Sequence, residues 1–275
     1  MHLNVAAATG SPHVSDLSEL QNSPSAIGAE TNFNDLSGYV IVTPDEIRAP
    51  DMAARVAAEC RQCDVPLRLG EDRDFYFAVA KPLFDRLAAA LLLVLLAPVF
   101  LAIAAMIKLS DGGPVFFQQP RTGHMARRFR LLKFRTMIPG AEHERARIWH
   151  MNIHGDGTPD FKAKDDPRVT PLGRHLRSTS LDELPNLINV ALGQMSLVGP
   201  RPTSFDASTY APCHLARLAV KPGITGLWQV SGRASIDFNR RCELDKHYIR
   251  TASAATDAAL LLKTVSAVIR RNGAH

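Results

Sequence analysis

The 275-residue sequence contains little cysteine and few aromatic residues, with four cysteines and an aromatic fraction of 7%. So few cysteines exclude a disulfide-held scaffold for a chain of this length. Cys60 and Cys63 have the CxxC spacing, but no second close pair completes a zinc site, so we do not expect metal or redox chemistry there. No apolar run follows Met1, which predicts that a secretory signal peptide is absent.

The first 78 residues contain no motif that indicates a function. Residues 1–37 are rich in Ser, Asn, Ala and Gly and are predicted to be disordered. Residues 38–78 contain short strand-like and helix-like runs, including a predicted helix from Pro50 to Arg61, and are predicted to form a small accessory segment. The sequence does not reveal the role of that segment.

Acidic and basic side chains are distributed unevenly along the chain. Residues 1–80 hold 12 acidic and 5 basic side chains, whereas residues 81–275 hold 15 acidic and 27 basic ones. The basic surplus therefore belongs to the longer, C-terminal part. It indicates anionic partners such as lipid headgroups or phosphorylated substrates, with nucleic acid as the competing explanation.

One long apolar segment, Leu87 to Ile107, has 21 residues and no charge. At about 1.5 Å of rise per residue it is long enough to cross a bilayer. Pro98 lies near its middle and favours a kink. Because both flanks are basic, from Lys81 before the segment to Arg135 after it, the positive-inside rule keeps both on the cytoplasmic side. The charge pattern alone leaves two topologies open, a re-entrant helix and a kinked spanning helix.

An acidic pair, Asp182 and Glu183, lies just after Arg177 and has two competing interpretations. Ser180 followed by Glu183 is a capping-box pattern, which predicts an ordinary helix over 181–192. In the other interpretation, a helix start attracts phosphate, and a carboxylate beside it can attack phosphorus. Mg²⁺ held by the two carboxylates would neutralise the phosphate oxygens.

Two further runs are rich in glycine, proline and basic residues. In the first, residues 196–202, Pro200 and Pro202 bracket Arg201 and restrict the backbone that presents its guanidinium. The second, residues 221–233, combines glycines with Trp228 and suits close backbone approach. Each run alone is explained equally well as a rigid loop.

Six segments in this order resemble the bacterial sugar transferases, the monotopic polyprenyl-phosphate glycosyl-1-phosphate transferases that begin exopolysaccharide, O-antigen and related glycan synthesis. The resemblance covers Lys81 to the C-terminus, and the chain looks like a short form without the multi-span N-terminal domain. The segments are Gly-Pro-Val-Phe-Phe (113–117), Lys-Phe-Arg-Thr-Met (133–137), Asp-Asp-Pro-Arg-Val-Thr (165–170), Ser-Leu-Asp-Glu-Leu-Pro (180–185), Val-Gly-Pro-Arg-Pro (198–202) and Lys-Pro-Gly-Ile-Thr-Gly (221–226).

The resemblance implies a mainly α-helical fold with a few short strands, in which residues 79–275 form a monotopic membrane domain. Residues 87–107 would be a re-entrant helix that bends at Pro98, and amphipathic helices would lie at the interface. By its own residue pattern, the run from Thr256 to Arg271 fits an amphipathic helix on the membrane plane or, nearly as well, a core helix capped by terminal cations. The expected location is the cytoplasmic face of a bacterial inner membrane. The expected partners are a UDP-sugar, polyprenyl phosphate and membrane lipid, without nucleic acid, and family analogy admits a homodimer.

The resemblance also implies a two-step exchange. Asp182 would attack the β-phosphate of the UDP-sugar and release UMP, and polyprenyl phosphate would then take the sugar phosphate from the enzyme. Glu183 would assist through Mg²⁺ or proton handling. Five basic residues are expected to bind phosphate, of which Arg177 and Arg201 match family arginines: Lys133, Arg135, Arg177, Arg201 and Arg233.

The sequence departs from the family pattern at three places. Ala97-Pro98 replaces the frequent Ser-Pro at the bend, Lys81-Pro82 replaces Lys-Arg before the helix, and Asn186 replaces glutamine after Leu-Pro. No residue indicates which sugar is transferred or which glycan is made. The alternative functions are a non-catalytic scaffold of a polysaccharide assembly system and a membrane-anchored protein that binds anionic ligands.

Overall fold

The computed structural model describes residues 50–66, 75–144, 163, 166–204, 206–231 and 237–269. The residues predicted to be disordered, 1–37, lie outside this described part. Within it the chain is mainly α-helical with a few short strands, as the sequence predicted. The helices are α1 (Pro50–Gln62), α2 (Lys81–Leu95), α3 (Ala97–Asp111), α4 (Pro171–Ser178), α5 (Asn186–Ala191), α6 (Pro212–Leu215), α7 (Leu227–Ser231), α8 (Phe238–Thr251) and α9 (Ala254–Ile269).

The strands form two small sheets. β1 (Phe116–Thr122) and β2 (Arg128–Phe134) make an antiparallel hairpin in which Phe116 pairs with Phe134. β3 (Ser196–Val198) and β4 (Gly223–Thr225) pair in parallel. Short 3₁₀ or π turns connect or precede several elements, at Tyr76–Ala80, His124–Ala126, Leu181–Glu183, Ala207–Thr209 and Ala216–Ala219.

Helices α2 and α3 divide the apolar segment in two. They meet at Leu96 at an angle of 62°, and Pro98 lies in the first turn of α3, where its missing N–H leaves no helix bond unmade. No single helix in the described ranges has the length and apolar composition needed to cross a bilayer, whereas this bent pair passes that test together. The bend is thus where the sequence placed it, and re-entry into a membrane stays a prediction.

The bent pair exposes large apolar side chains. Contiguous exposed apolar surface marks a membrane or partner contact in most proteins. On the opposite side, Ile103 and Ile107 of α3 are buried against Phe134 and Leu176, and Ala89 of α2 is buried in the main core, so each helix of the pair is anchored to the rest of the fold. The exposed side chains include Leu83, Phe84, Leu87, Leu91, Val94, Leu95, Leu101 and Leu109.

The main core lies between the C-terminal helices, β3 and α1. Tyr248 and Ile249 of α8 are buried with Leu215 and with Val56 of α1. Cys60 in α1 is also buried there, and its thiol lies 3.9 Å from the carbonyl oxygen of Ala216. The predicted helix at residues 50–61 is confirmed, and its apolar face shares this core.

The capping-box prediction is wrong. Ser180 has the left-handed conformation (φ 58°, ψ 16°), and its side chain makes no capping hydrogen bond. Residues 181–183 form a single 3₁₀ turn, and helix α5 starts only at Asn186. Pro185 explains this start, since a helix running through it would lack the N–H that bonds to Leu181. Because the turn has three residues, a helix dipole contributes no phosphate site here.

Candidate active site

The acidic pair meets two basic side chains from distant parts of the chain. Lys133 of β2 donates a hydrogen bond of 2.7 Å from its Nζ to Oε1 of Glu183. Arg201, in the loop after β3, donates from Nη2 to Oε1 at 2.5 Å and from Nη1 to Oε2 at 3.2 Å. Both carboxylate oxygens of Glu183 are therefore held by cations, in the geometry that gives strong charge-assisted bonds.

Asp182 has a different environment, although it is next in the chain. Its Oδ2 lies 3.8 Å from Lys133 Nζ, and within the described residues its carboxylate accepts no hydrogen bond. The residue is nevertheless 92% buried, since its exposed fraction is 8%. A buried carboxylate without a hydrogen-bond donor is costly to the fold, so Asp182 is the less satisfied member of the pair.

The electrostatics separate the two carboxylates further. Burial raises the pKa of Asp182, and the attraction of Lys133 opposes this while the charge of Glu183 adds to it. Burial also acts on Glu183, but Arg201 and Lys133 outweigh it and hold its pKa well below the usual range. Paired titratable groups whose environments push their pKa values apart take different roles in catalysis.

Backbone contacts fix Lys133 in place. Asn189 of α5 is 1% exposed, and its side chain bonds both to the backbone N–H of Leu132 at 3.0 Å and to the carbonyl of Arg130 at 2.8 Å. This amide completes the hydrogen bonds of an edge strand that would otherwise lack a partner. The strand that carries Lys133 is thereby tied to the helix that follows the acidic pair.

Arg177 lies at the C-terminal end of α4, close enough to Asp182 for the two charges to interact. Its Nε donates a hydrogen bond of 2.9 Å to Oγ1 of Thr136. Gly173 permits this arrangement, since a Cβ at that position would overlap the carbonyl of Thr136. Burial lowers the pKa of Arg177, and Asp182 opposes that shift. We expect the guanidinium to stay cationic, as arginine does in proteins.

One of the basic residues predicted to bind phosphate, Arg135, is not brought to this cluster. Arg135 donates to both carboxylate oxygens of Asp111 and to the carbonyls of Pro114 and Met137. Its contacts join the end of α3 to the hairpin, so its donors are used structurally. Arg233 lies outside the described residues. Lys133, Arg177 and Arg201 do surround the acidic pair.

Sequence reasoning missed Arg217 and Asp245. Arg217 supports the backbone of Arg201, and Asp245 holds Arg217 in place. Arg217 donates from Nη2 to the backbone carbonyl of Arg201 at 2.9 Å and from Nε to Asp245 at 2.9 Å. The two side chains are 3% and 1% exposed. Burial raises the pKa of Asp245 to about 6, against the pull of Arg217. The signal was available, because Arg217 interrupts the apolar run of residues 215–220, where a charge requires a buried partner.

The carboxylates of Asp182 and Glu183 are the candidate ligands for Mg²⁺. In the part of the chain that the structure describes, no group of three or more His, Cys, Asp or Glu side chains could hold a metal. Mg²⁺ is commonly bound by one or two carboxylates together with substrate phosphates. The open carboxylate of Asp182 fits this mode, whereas Glu183 could join only after Lys133 or Arg201 turned to the phosphate.

Comparison with known proteins gives a consistent family match. The sequence model described as "Bacterial sugar transferase" matches residues 76–271, well over half of the chain. The exopolysaccharide production protein ExoY of Sinorhizobium fredii is 39% identical over 200 residues, which cover 72% of this chain and 88% of that protein.

Two longer relatives have names that state a reaction. The UDP-glucose:undecaprenyl-phosphate glucose-1-phosphate transferase of Xanthomonas campestris is 40% identical over 217 residues, 75% of this chain and 42% of that protein. The undecaprenyl-phosphate galactose phosphotransferase of Salmonella typhimurium is 38% identical over 198 residues, 71% of this chain and 41% of that protein. The match to the family model, residues 76–271, includes all the clustered residues described above.

Proposed function

This chain belongs to the bacterial sugar transferase family, and on that premise we propose that it moves a sugar-1-phosphate from a UDP-sugar to polyprenyl phosphate. The observation that carries the proposal is the buried, open carboxylate of Asp182 beside Lys133 and a Glu183 whose oxygens are both held. The names of the longer relatives support this reaction class. The sugar itself is not indicated by any described side chain.

In the first step, Asp182 is the nucleophile. One carboxylate oxygen forms a bond to the β-phosphorus of the UDP-sugar, and the bridging P–O bond breaks. UMP leaves with the electron pair of that bond, and the sugar phosphate stays on Asp182 as an acyl phosphate. A buried carboxylate with few hydrogen bonds is less solvated and hence a stronger nucleophile than one in water.

In the second step, an oxygen of polyprenyl phosphate forms a bond to the same phosphorus. The bond to Asp182 breaks, its electron pair returns to the carboxylate, and a polyprenyl-diphosphate-linked sugar leaves. Lys133, Arg177 and Arg201 supply the positive charge that both displacements need, because the phosphoryl oxygens gain charge in each transition state. No proton has to move in either displacement when the acceptor is ionised.

Glu183 is assigned an organising role. Since its Oε1 accepts bonds from Lys133 and Arg201 and its Oε2 accepts one from Arg201, it holds the two cations at fixed positions before the substrate arrives. Mg²⁺, when bound, would neutralise charge on the diphosphate, with Asp182 and, after rearrangement, Glu183 as its protein ligands. This division of roles explains why two adjacent carboxylates are present.

The proposed location is the cytoplasmic face of a bacterial inner membrane. The exposed apolar side chains of α2 and α3 support insertion of the bent pair as a re-entrant element, and polyprenyl phosphate resides in the bilayer that these helices would enter. The homodimer that family analogy admits remains a prediction. Nucleic acid is not part of this proposal.

The test is UMP release. Purified protein with Mg²⁺ and polyprenyl phosphate is offered a panel of UDP-sugars, and release from at least one is expected. With a radiolabelled sugar and no acceptor, acid quenching should leave label on the protein. Asp182→Asn should abolish both signals, whereas Asp206→Asn, an exposed carboxylate in a local turn, should retain them. Equal release by Asp182→Asn would contradict the nucleophile, and lipid-linked sugar with no UMP release would contradict the reaction.

A further inference from the structure

A cavity bounded by described residues lies at the base of α2, away from the acidic pair. It has a volume of about 220 Å³ and lies between the turn at Tyr76–Ala80, α2, the end of α5 and β3. Phe77, Val190, Met195 and Val198 give it a largely apolar wall. None of Lys133, Arg177, Asp182, Glu183 or Arg201 lines it, so it is a separate site.

Two cations, Arg86 and Lys221, line this cavity. Neither has an ion pair or a side-chain hydrogen bond to any residue of the described ranges. Arg86 lies directly on Gly193, where the left-handed φ of +76° and the missing side chain leave room for the guanidinium. The backbone at Gly193 therefore makes room for the side chain of Arg86.

The anions nearby are already engaged. Asp85 accepts a bond of 2.6 Å from Ser196 Oγ and lies 3.7 Å from Lys81 Nζ. Lys81, the third cation of the cavity, is paired with Asp257. Burial lowers the pKa of Lys221, and the charge of Arg86 adds to this while Asp85 opposes it. Two close cations without their own counterion produce a positive potential that an anion would relieve.

We propose that this cavity binds the phosphate headgroup of an anionic phospholipid of the bilayer. Pockets for whole small molecules measure about 300–1,000 Å³, so a cavity of about 220 Å³ suits a headgroup whose acyl chains remain outside. Leu83, one helical turn before Arg86, is 56% exposed and Leu87 is 62% exposed, which provides an apolar surface for those chains. The phosphate would accept charge-assisted bonds from Arg86 and Lys221.

The proposed occupant is a phospholipid that takes no part in the reaction, and it is not the acceptor polyprenyl phosphate. A polyprenyl phosphate held here would have no catalytic side chain at its phosphate, because the cavity lining excludes all of them. The proposal rests on the membrane placement given above, since only an inserted α2 brings lipid to Leu83 and Leu87. Bound lipid would fix the depth at which the base of α2 rests.

The experiment measures lipid binding to the detergent-purified full chain by native mass spectrometry, without UDP-sugar. Dioleoyl phosphatidylglycerol should bind more tightly than dioleoyl phosphatidylcholine. Because the double variant removes both charged donors, Arg86→Gln with Lys221→Gln should weaken phosphatidylglycerol binding by about tenfold or more. Ala78→Trp, at an exposed position of the lining, should also weaken it by filling the cavity.

The matched control is Lys108→Gln with Arg130→Gln, which removes two exposed cations that do not line the cavity. Binding within about twofold of the parent is expected, because long-range attraction between exposed charges is screened by salt. Equal weakening by both double variants would overturn the site in favour of general charge attraction. Displacement of the lipid by millimolar glycerol 3-phosphate would show a soluble phosphate as the occupant and would overturn the lipid proposal.

The outcome is separable from the proposed reaction. Asp182→Asn should bind phosphatidylglycerol as the parent does while losing UMP release. Loss of lipid selectivity in an active enzyme would reject the cavity proposal alone, and lipid selectivity in a protein that never releases UMP would reject the reaction alone.

Discussion

Asp182 and Asp257 are both buried aspartates within reach of a lysine, with exposed fractions of 8% and 7%, and they differ in how their oxygens are used. Asp257 accepts bonds from Lys81, from Tyr76 Oη at 2.7 Å and from Tyr248 Oη at 2.8 Å. Among the described residues Asp182 accepts no hydrogen bond and has one ion pair within 4 Å, with Lys133 Nζ at 3.8 Å. A satisfied buried carboxylate stabilises the fold, whereas an open one is available for chemistry.

The same contrast holds for the arginines. Arg135 and Arg217 use their donors on protein acceptors and lock elements together, whereas Arg177 has a single bond, to Thr136. Among these three arginines, the donors that Arg177 leaves unused within the described residues therefore distinguish it from Arg135 and Arg217, whose donors serve the fold.

The most direct test of the contrast between the two aspartates replaces one carboxylate oxygen of each with an amide nitrogen. Asp182→Asn should lower the rate of UMP release by about 10,000-fold or more, since it removes the proposed nucleophile. The rate is measured at saturating UDP-sugar and polyprenyl phosphate. A residual rate near that of the parent would place the nucleophile elsewhere.

Asp257→Asn should act on stability instead. It leaves Lys81 without its counterion in a buried position, and breaking a buried pair costs about 3–5 kcal/mol. Thermal unfolding in detergent should show a large fall in melting temperature, while the rate per folded molecule is retained. An unchanged melting temperature would remove the distinction between the two aspartates.

Arg217→Lys should test the support behind Arg201. The lysine keeps a charge for Asp245 but cannot also donate to the Arg201 carbonyl in the same fork geometry. We expect kcat to fall by about tenfold, the size expected when misplaced catalytic groups lose about 1.4 kcal/mol. The melting temperature is recorded in parallel, and a fall in stability with no fall in kcat would assign Arg217 to the fold alone.

Lys133→Gln should move the acid limb of the pH–rate profile. Asp182 must be ionised to attack, so the rate falls as pH falls through its raised pKa. Removing Lys133 removes a charge that lowers this pKa, and the limb should therefore shift to higher pH, whatever the loss in absolute rate. Arg130→Gln, exposed on the same strand, is the control and should leave the limb in place.

The smallest expected effect is a gain in stability from Asp182→Asn. A carboxylate whose pKa is raised in the folded state makes folding less favourable at pH values above its unfolded pKa. At pH 7 the amide removes this cost, and the melting temperature should rise by a few degrees. Asp206, whose pKa is lowered by bonds from Ser208, has the opposite sign, so Asp206→Asn should give no rise.

The residues of the site could be found from the sequence because the motifs are short and keep their order. Lys133, Arg177 and Arg201 come from β2, α4 and the loop after β3, and the sequence alone predicts each as a phosphate-binding residue. Their convergence depends on contacts between distant residues, such as those of Asn189 with β2, which periodicity does not reveal.

Local sequence patterns gave wrong predictions where contacts with distant residues or a nearby proline determine the structure. Ser180 and Glu183 have capping-box spacing, yet Pro185 delays the helix and Ser180 takes a left-handed turn. Arg135 lies two residues from Lys133 and shares its motif, but Asp111 uses its donors. Arg217 has no motif at all, and its role depends on the carbonyl of a residue 16 positions away.

The Arg135–Asp111 pair described above links the end of α3 to the strand that carries Lys133. Asp111 ends α3, and Arg135 follows directly on the strand that carries Lys133. If α3 rests at a fixed depth in the bilayer, this pair transmits that depth to Lys133 and hence to the acidic pair. In that placement the bilayer would set the height of the Asp182 carboxylate above the membrane, and hence where it meets the phosphate of a lipid.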